Sequence, residues 1–222
     1  MQRILCPTLL LTFMLGGCEK DEPCDCQGDS EWYLIFEDDF EAYATGTHPA
    51  VTWTTRFTGE SAEISEEVAY AGSKSFRLTS EANWARVEAV PMGILPDSLL
   101  VEGAIYLTQP DRGYVLGFGF KESSNTYRYR NSIAFTNENK IAFQYDLCTW
   151  NPDTWYHIKM EYDFARMKSK VWINNQVVGE NLDLSDKSEM HDFILGGLNF
   201  TSGTSTAYYD NIRIYAKCSC VY

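Results

Sequence analysis

A chain of 222 residues with 45% hydrophobic side chains suits one large globular domain better than two small ones, because all-β sandwiches of this length are often single units. Fifteen glycines, seven prolines and 22% charged residues exclude a collagen-like repeat and a disordered polyelectrolyte. A formal net charge of −13 excludes sequence-independent binding of DNA or RNA, whose affinity comes from cationic contacts to phosphates. Aromatic residues reach 14%, which favours strands and surfaces that stack flat ligands.

In chain order, residues 1–17 have the plan of a secretory signal. Arg3 is the positive start, and Ile4 to Leu15 is an apolar stretch too short to span a bilayer as a mature helix. Leu15-Gly16-Gly17-Cys18 resembles a bacterial lipobox, in which the cysteine thiol takes a diacylglycerol and becomes the first residue. Acyl chains contribute roughly 0.8 kcal/mol per buried CH₂, so two or three of them hold a domain on a membrane without a spanning helix. Residues 18–30 form an acidic tether. Its Glu19-Lys20-Asp21-Glu22-Pro23 is similar to the signal of surface-exposed lipoproteins in Bacteroidetes-type bacteria, although any solvated charged linker reads the same way. The expected location is the bacterial outer membrane, lipid-anchored and facing the cell surface or the periplasm. The exported form carries 17 basic against 31 acidic side chains, a formal net of −14, so anionic headgroups repel it and the membrane is met through the lipid.

Residues 31–222 read as strands. The clearest is Trp155 to Asp163, where Tyr156, Ile158, Met160 and Tyr162 share one face and Trp155, His157, Lys159 and Glu161 the other. Further strands are expected over Tyr33 to Phe40, Ser75 to Thr79, Trp84 to Val90, Leu99 to Leu107, Tyr114 to Lys121, Tyr127 to Phe135, Lys140 to Asp146, Asp192 to Phe200 and Ala207 to Tyr215. Lys170 to Ile173 and Gln176 to Val178 are separated by Asn174-Asn175, two residues that tolerate positive φ, which predicts a tight hairpin. Amphipathic helices do not alternate with these segments, so two antiparallel sheets packed face to face are expected.

The cysteines bracket this domain. Cys6 leaves with the signal and Cys18 takes the lipid, leaving Cys24, Cys26, Cys148, Cys218 and Cys220. Cys24 or Cys26 bridging to Cys218 or Cys220 would tie the ends and suits an oxidising location, with a four-thiolate zinc site as the alternative. Cys148 has no obvious partner.

Asp38-Asp39-Phe40-Glu41, Gly46, Pro49, Trp53, Ala71-Gly72-Ser73-Lys74-Ser75-Phe76-Arg77-Leu78, Trp155-Tyr156, Val171-Trp172-Ile173-Asn174 and Tyr208-Tyr209-Asp210-Asn211-Ile212-Arg213 follow one another over residues 33 to 216. In order and spacing they resemble the concanavalin A-like lectin/glucanase (LamG-type) family. The resemblance implies an all-β, two-sheet antiparallel jelly roll with carbohydrate or catalytic residues on the concave sheet. It also implies one structural calcium ion near the termini, with Asp38, Asp39 and Asp210 as the candidate ligands. By parity Asp38 shares a face with Phe36 and Phe40, and Asp210 with Ile212 and Ile214, so both carboxylates need a partner. A cation supplies one; Arg56, Arg77 or a turn amide would also do.

For a sugar, Trp84, Arg86 and Glu88 alternate with Ala85 and Val87, which places a ring, a cation and a carboxylate on one exposed face. A ring covers the apolar side of a pyranose while polar groups receive its hydroxyls. Arg128, Arg130, Gln144 and Trp150 join them as ligand-binding candidates by analogy with the family's middle strands. The alternative is a solvated sheet face with cross-strand ion pairs.

Catalysis has little support. Laminarinase-type relatives place Glu-x-Asp-x-x-Glu on one strand, because glycoside hydrolysis needs two carboxylates flanking one bond. Here Glu161-Tyr162-Asp163-Phe164-Ala165 ends in Arg166. Alginate-lyase relatives use Arg-x-Glu-x-Arg and Gln-x-His, but Arg86-Val87-Glu88 continues as Ala89-Val90, and Gln144 as Tyr145-Asp146. His48, His157 and His191 flank no nucleophile signature and form no metal pair. The expected function is non-catalytic binding of a polysaccharide by a lipoprotein. A diverged lyase or hydrolase, and a structural or protein-binding lipoprotein, are the alternatives.

Overall fold

In the computed structural model, which describes residues 32–55, 61–80, 87–91, 96–108, 114–122, 131–184, 190–196 and 205–217, the regular elements are all strands. In chain order they are β1 (Tyr33–Asp38), β2 (Thr54–Thr55), β3 (Ser61–Ser65), β4 (Ser75–Ser80), β5 (Val87–Pro91), β6 (Ser98–Leu107), β7 (Tyr114–Glu122), β8 (Asn131–Thr136), β9 (Lys140–Phe143), β10 (Tyr145–Thr149), β11 (Trp155–Asp163), β12 (Lys168–Ile173), β13 (Gln176–Asp183), β14 (Met190–Gly196) and β15 (Ser205–Lys217). Sheet A runs β13-β12-β11-β6-β15-β4-β3, with β1 also on β15, and sheet B runs β10-β9-β8-β7-β14-β5-β2. Every pairing is antiparallel, so the chain is an all-β jelly-roll sandwich, as expected.

Alternation builds the interior. β11 switches between half-buried and buried at each of its nine residues, with Tyr156, Ile158, Met160 and Tyr162 inward. Sheet B answers with Ile133 and Phe135 of β8, Ile141 and Phe143 of β9, and Phe193 and Leu195 of β14. Each such side chain contributes about 1.5–3 kcal/mol when taken fully out of water. The Tyr162 hydroxyl, caught between the sheets, donates to the Asn131 carbonyl of the facing sheet at 2.9 Å. Burial pushes the Tyr162 phenol far above its usual range.

One end of the sandwich is closed by rings around a carboxylate. Trp53, Phe40 and Phe76 are fully buried, with centroids 5.4–6.2 Å apart. Asp38 sits beside them and accepts hydrogen bonds from Trp53 Nε1 (2.9 Å), Tyr43 Oη (3.0 Å) and the Phe40 amide (2.9 Å).

The strand β15 joins the fold's distant parts, since residues 205–209 pair with β4, residues 212–216 pair with β1, and β6 lies along its other side. Tyr33 stands opposite Ala216, so the two ends of the described chain lie side by side. An extra residue on β15 between Asp210 and Arg213, with Asn211 at φ 51°, makes a bulge. The Asn174-Asn175 hairpin forms as predicted, with φ of 49° and 65° at the two residues, the pattern of a type I′ turn.

Three expectations are corrected. The single strand expected over Lys140 to Asp146 is a hairpin, reversed at Gln144 in the left-handed region (φ 64°). The strands β2 and β3 escaped notice, because Thr-Thr and Ser-Ala-Glu-Ile-Ser carry little apolar signal. Trp150 is 1% exposed and belongs to the core: it packs edge-on against Phe135 at 5.5 Å, and its Nε1 donates to the Thr136 carbonyl at 3.1 Å. Its ring has no free face for a sugar. Trp150→Ala is expected to cost about 3–5 kcal/mol in a urea melt; a loss under about 1 kcal/mol would place this ring at the surface.

Candidate functional site

Alternation that turns one row inward turns the next row out, and on sheet B the outward positions of β8 and β9 are small. Because Ile133 and Phe135 point to the core, Ser132 and Ala134 of β8 face outward, as do Ala142 of β9 and Ile194 of β14. Register extends these positions into two rows across the sheet, Thr54–Ala89–Ile194–Gly119–Ser132 and Leu116–Ala134–Ala142–Asp146. A third row, Pro91–Asp192–Lys121, brings an acidic and a basic residue type to the margin.

Ser132 is 3% exposed and its Oγ has no hydrogen-bond partner, an arrangement that ordinarily costs about 1–3 kcal/mol. A Cβ placed on Gly119 would lie 2.1 Å from that hydroxyl, so only glycine fits opposite Ser132. Ser132, Gly119 and Ile194, which is 0% exposed, are therefore covered, and the part of the outward face that reaches solvent is that of half-buried Ala134 and Ala142.

The predicted ligand residues are distributed as follows. Trp84, Arg86, Arg128 and Arg130 lie outside the described residues, as do Cys18, Cys24, Cys26, Cys218 and Cys220. Glu88 is in β5 but holds the register position opposite Leu195 of the core, while Ala89 is opposite Ile194. Gln144 is a turn residue at the sheet edge, and its Nε2 donates to the Asp183 carbonyl of β13 at 2.6 Å, so it ties sheet B to sheet A. Cys148 is half-buried and free, its thiol pushed up by burial away from the reactive thiolate.

The metal candidates do not form a cradle. Asp38 is satisfied by the three donors named above, and Asp39 Oδ1 accepts from the Glu41 amide at 3.1 Å. Asp210 accepts from the amides of Tyr70 (2.9 Å), Ala71 (3.0 Å) and Asn211 (2.7 Å). In Asp38 and Asp210 both carboxylate oxygens already accept from N–H or O–H groups. Among the described residues no group of three or more His, Cys, Asp or Glu is placed to hold a metal ion. The parity expected for Asp210 also fails: the Asn211 bulge separates it from Ile212 and sets it opposite Ala104 on the outer side of sheet A.

Asp210 there pins a loop. The same segment is held at its far side by Glu41 Oε1, which accepts from the Ser73 and Lys74 amides at 2.8 Å each. Gly72 between them has φ +64°, and a Cβ there would lie 2.4 Å from Glu41 Oε1. These bonds and the partial positive charge of the amides keep the Glu41 carboxyl below its usual range.

The outer side of sheet A has a chemistry the sequence did not announce. One register row, Trp172–Lys159–Glu102–Arg213–Glu37, is charged, with Lys159 Nζ 5.4 Å from the Trp172 ring and Arg213 Nε 2.7 Å from Glu37. Pairs this exposed contribute at most about 1 kcal/mol each. Another row, Trp155–Tyr106–Tyr208–Arg77–Glu63, is aromatic along three strands, with ring centroids 5.5 and 5.7 Å apart. Alternation alone marks each ring as outward, but only the register reveals that they are neighbours. Glu161 and Asp163, the nearest approach to a hydrolase motif, also face outward on sheet A. They line a crevice of about 170 Å³ in which Asp163 pairs with Arg166 (3.7 Å) and Lys170 with Glu180 (2.6 Å).

No protein-family model matches the chain, and no curated protein resembles it in sequence. Solved structures do resemble it. The cellulose-induced protein Cip1 superposes with a TM-score of 0.63 at 11% identity, over 84% of this chain and 100% of that one. The CBM22-1 xylan-binding domain of Xyn10C from Paenibacillus barcinonensis gives 0.52 at 11% identity, over 87% and 100%. A structure of botulinum neurotoxin type C, whose cell entry depends on two ganglioside molecules, gives 0.52 at 10% identity, over 76% of this chain and 43% of that one. At these identities the likeness establishes the shared β-sandwich fold.

Burial drives Asp210 up to about 6, against its three amide donors, which pull the other way. The folded chain therefore holds a proton between about pH 4 and pH 6 that the unfolded chain, with an ordinary carboxyl near 3.8, has released. The contribution of this group to stability is full below pH 4 and declines as pH rises to 6. Asp38 is raised in the same direction by burial, so the variant Asp210→Asn isolates the effect. Melting temperatures from pH 4 to 6.5 should fall less steeply in Asp210→Asn than in the parent chain; identical slopes would show that Asp210 ionises normally.

Proposed function

We propose that this chain is a lipid-anchored, non-catalytic glycan-binding module that holds a polysaccharide on the outer face of sheet B, the sheet that the family resemblance makes concave. One observation carries the reading: the outward side of sheet B sets the small, half-buried residues Ala134 and Ala142 next to each other on paired strands. A flat, hydroxyl-rich chain fits such a floor, because small residues let it approach closely and its hydroxyls satisfy exposed backbone and side-chain groups. Neutral glycans also suit a chain of net charge −13, which repels polyanions. Support from outside the chain is that its fold neighbours include a xylan-binding domain and a cellulose-induced protein.

The anchor is proposed from Leu15-Gly16-Gly17-Cys18, and the location from the acidic segment after it: the outer membrane, on the cell surface or facing the periplasm. In that oxidising setting Cys24 or Cys26 would bridge Cys218 or Cys220. The pairing of Tyr33 with Ala216 favours this, since Cys26 precedes Tyr33 by seven residues and Cys218 follows Ala216 by two. Growth on labelled palmitate should mark the chain at Cys18 and leave Cys18→Ala unlabelled; label retained by the variant would remove the anchor.

Isothermal titration of the detergent-solubilised full chain with xylan and with cello-oligosaccharides tests the binding itself. Micromolar to millimolar affinity is expected, unchanged by EDTA because Asp38 and Asp210 already accept hydrogen bonds at both carboxylate oxygens, and weakened at least tenfold by Ala134→Arg, which raises the floor. Absence of binding to any glycan at millimolar concentration would overturn the reading, and loss of binding in EDTA would restore a calcium site to it.

A further inference from the structure

We propose that the outer face of sheet A carries a second glycan platform, in which the rings of Tyr70, Trp155 and Tyr106 stack on sugar residues of a chain already engaged by sheet B. The proposal rests on the carbohydrate-binding reading above and extends it to a different surface. Trp155 and Tyr106 stand on neighbouring strands with centroids 5.5 Å apart, and Tyr208 continues the row 5.7 Å from Tyr106. Tyr70 comes from a separate loop, lies 5.6 Å from Trp155 and 6.4 Å from His157, and is 44% exposed.

Three features fit this array to a sugar. First, it is rigid before any ligand arrives. The loop of Tyr70 is fixed through its backbone by Asp210 and Glu41, so the ring is not needed to anchor the loop and its exposure is held in place. Holding rings in advance removes an entropy cost from binding. Second, the margin is polar where sugar hydroxyls would fall: the Tyr106 hydroxyl donates to Asp153 Oδ1 at 3.3 Å, and the imidazole of His157 lies beneath Tyr70. The rings meet at 54–79° to one another, so each offers its own apolar facet with a hydrogen-bonding edge, to which the ring hydrogens and hydroxyls of a pyranose correspond. Third, the charges at the margin are the Asp153 carboxylate and Arg77, whose guanidinium is already paired with Glu63 and Glu67, in a chain of net charge −13, which disfavours phosphates and anionic lipids and suits neutral polyhydroxylated partners. Two platforms on opposite faces would let one module engage two strands of a matrix, or two segments of one long chain, with a gain in avidity.

The test is titration of the full chain in detergent with cellohexaose and xylohexaose, followed by tryptophan fluorescence. The parent chain should show two sites for whichever oligosaccharide binds. Tyr70→Ala and Trp155→Ala should each leave one site and weaken the lost one roughly tenfold or more, while Ala134→Arg should lose the other. Trp155 sits in a strand, so melting temperatures accompany the titrations; Tyr70, on the loop, decides the matter if Trp155→Ala fails to fold. One site in the parent chain, abolished by Ala134→Arg and untouched by Tyr70→Ala, would overturn the second platform and leave the first intact. No binding of either oligosaccharide would overturn both.

Discussion

The structure depends on one side-chain row from each strand being taken out of water between two sheets. Tyr156, Ile158, Met160 and Tyr162 on sheet A meet Phe135, Phe143, Phe193 and Leu195 on sheet B, and their burial fixes the register of every strand that carries them. A slip of one residue would expose the whole row. Register in turn decides which residues face outward together, so the functional surfaces follow from the core.

The two outward faces differ in kind. Sheet A presents a charged row and an aromatic row, while sheet B presents the small residues Ala134 and Ala142. The difference is possible because only the inward row is constrained by packing. The Asn211 bulge adds a further step: by inserting one residue into β15 it turns Asp210 out of the interior, where its carboxylate gathers three amides and fixes the loop of Tyr70. A backbone irregularity in a central strand thus sets the position of an exposed ring on the sheet's surface.

Where local chemistry determined structure, the sequence was readable. Trp155 to Asp163 alternates without exception and forms a strand with those bounds, and Asn174-Asn175 supplies the two positive-φ residues its hairpin needs. Asp38 was read as a buried carboxylate in want of a partner, and turn and ring donors supply it. What failed depended on non-local register or on a reversal without a Gly or Pro signal. Gln144 turns the chain in a left-handed conformation that its sequence does not advertise, and Asn211 breaks the parity on which the placing of Asp210 relied. Trp150 was read as a ligand ring because aromatic residues serve surfaces and cores alike. The row Trp155–Tyr106–Tyr208 joins residues 106, 155 and 208, and no local pattern links them.

The central claim is that small residues on the outside of sheet B hold a glycan. Backbone amide chemical shifts recorded with and without xylohexaose test it most directly, since they report position as well as binding. The account predicts saturable shifts at Ser132, Ala134 and Ala142, with Ile158 and Met160 of the core unmoved. Saturable binding that leaves those three amides unchanged would contradict it.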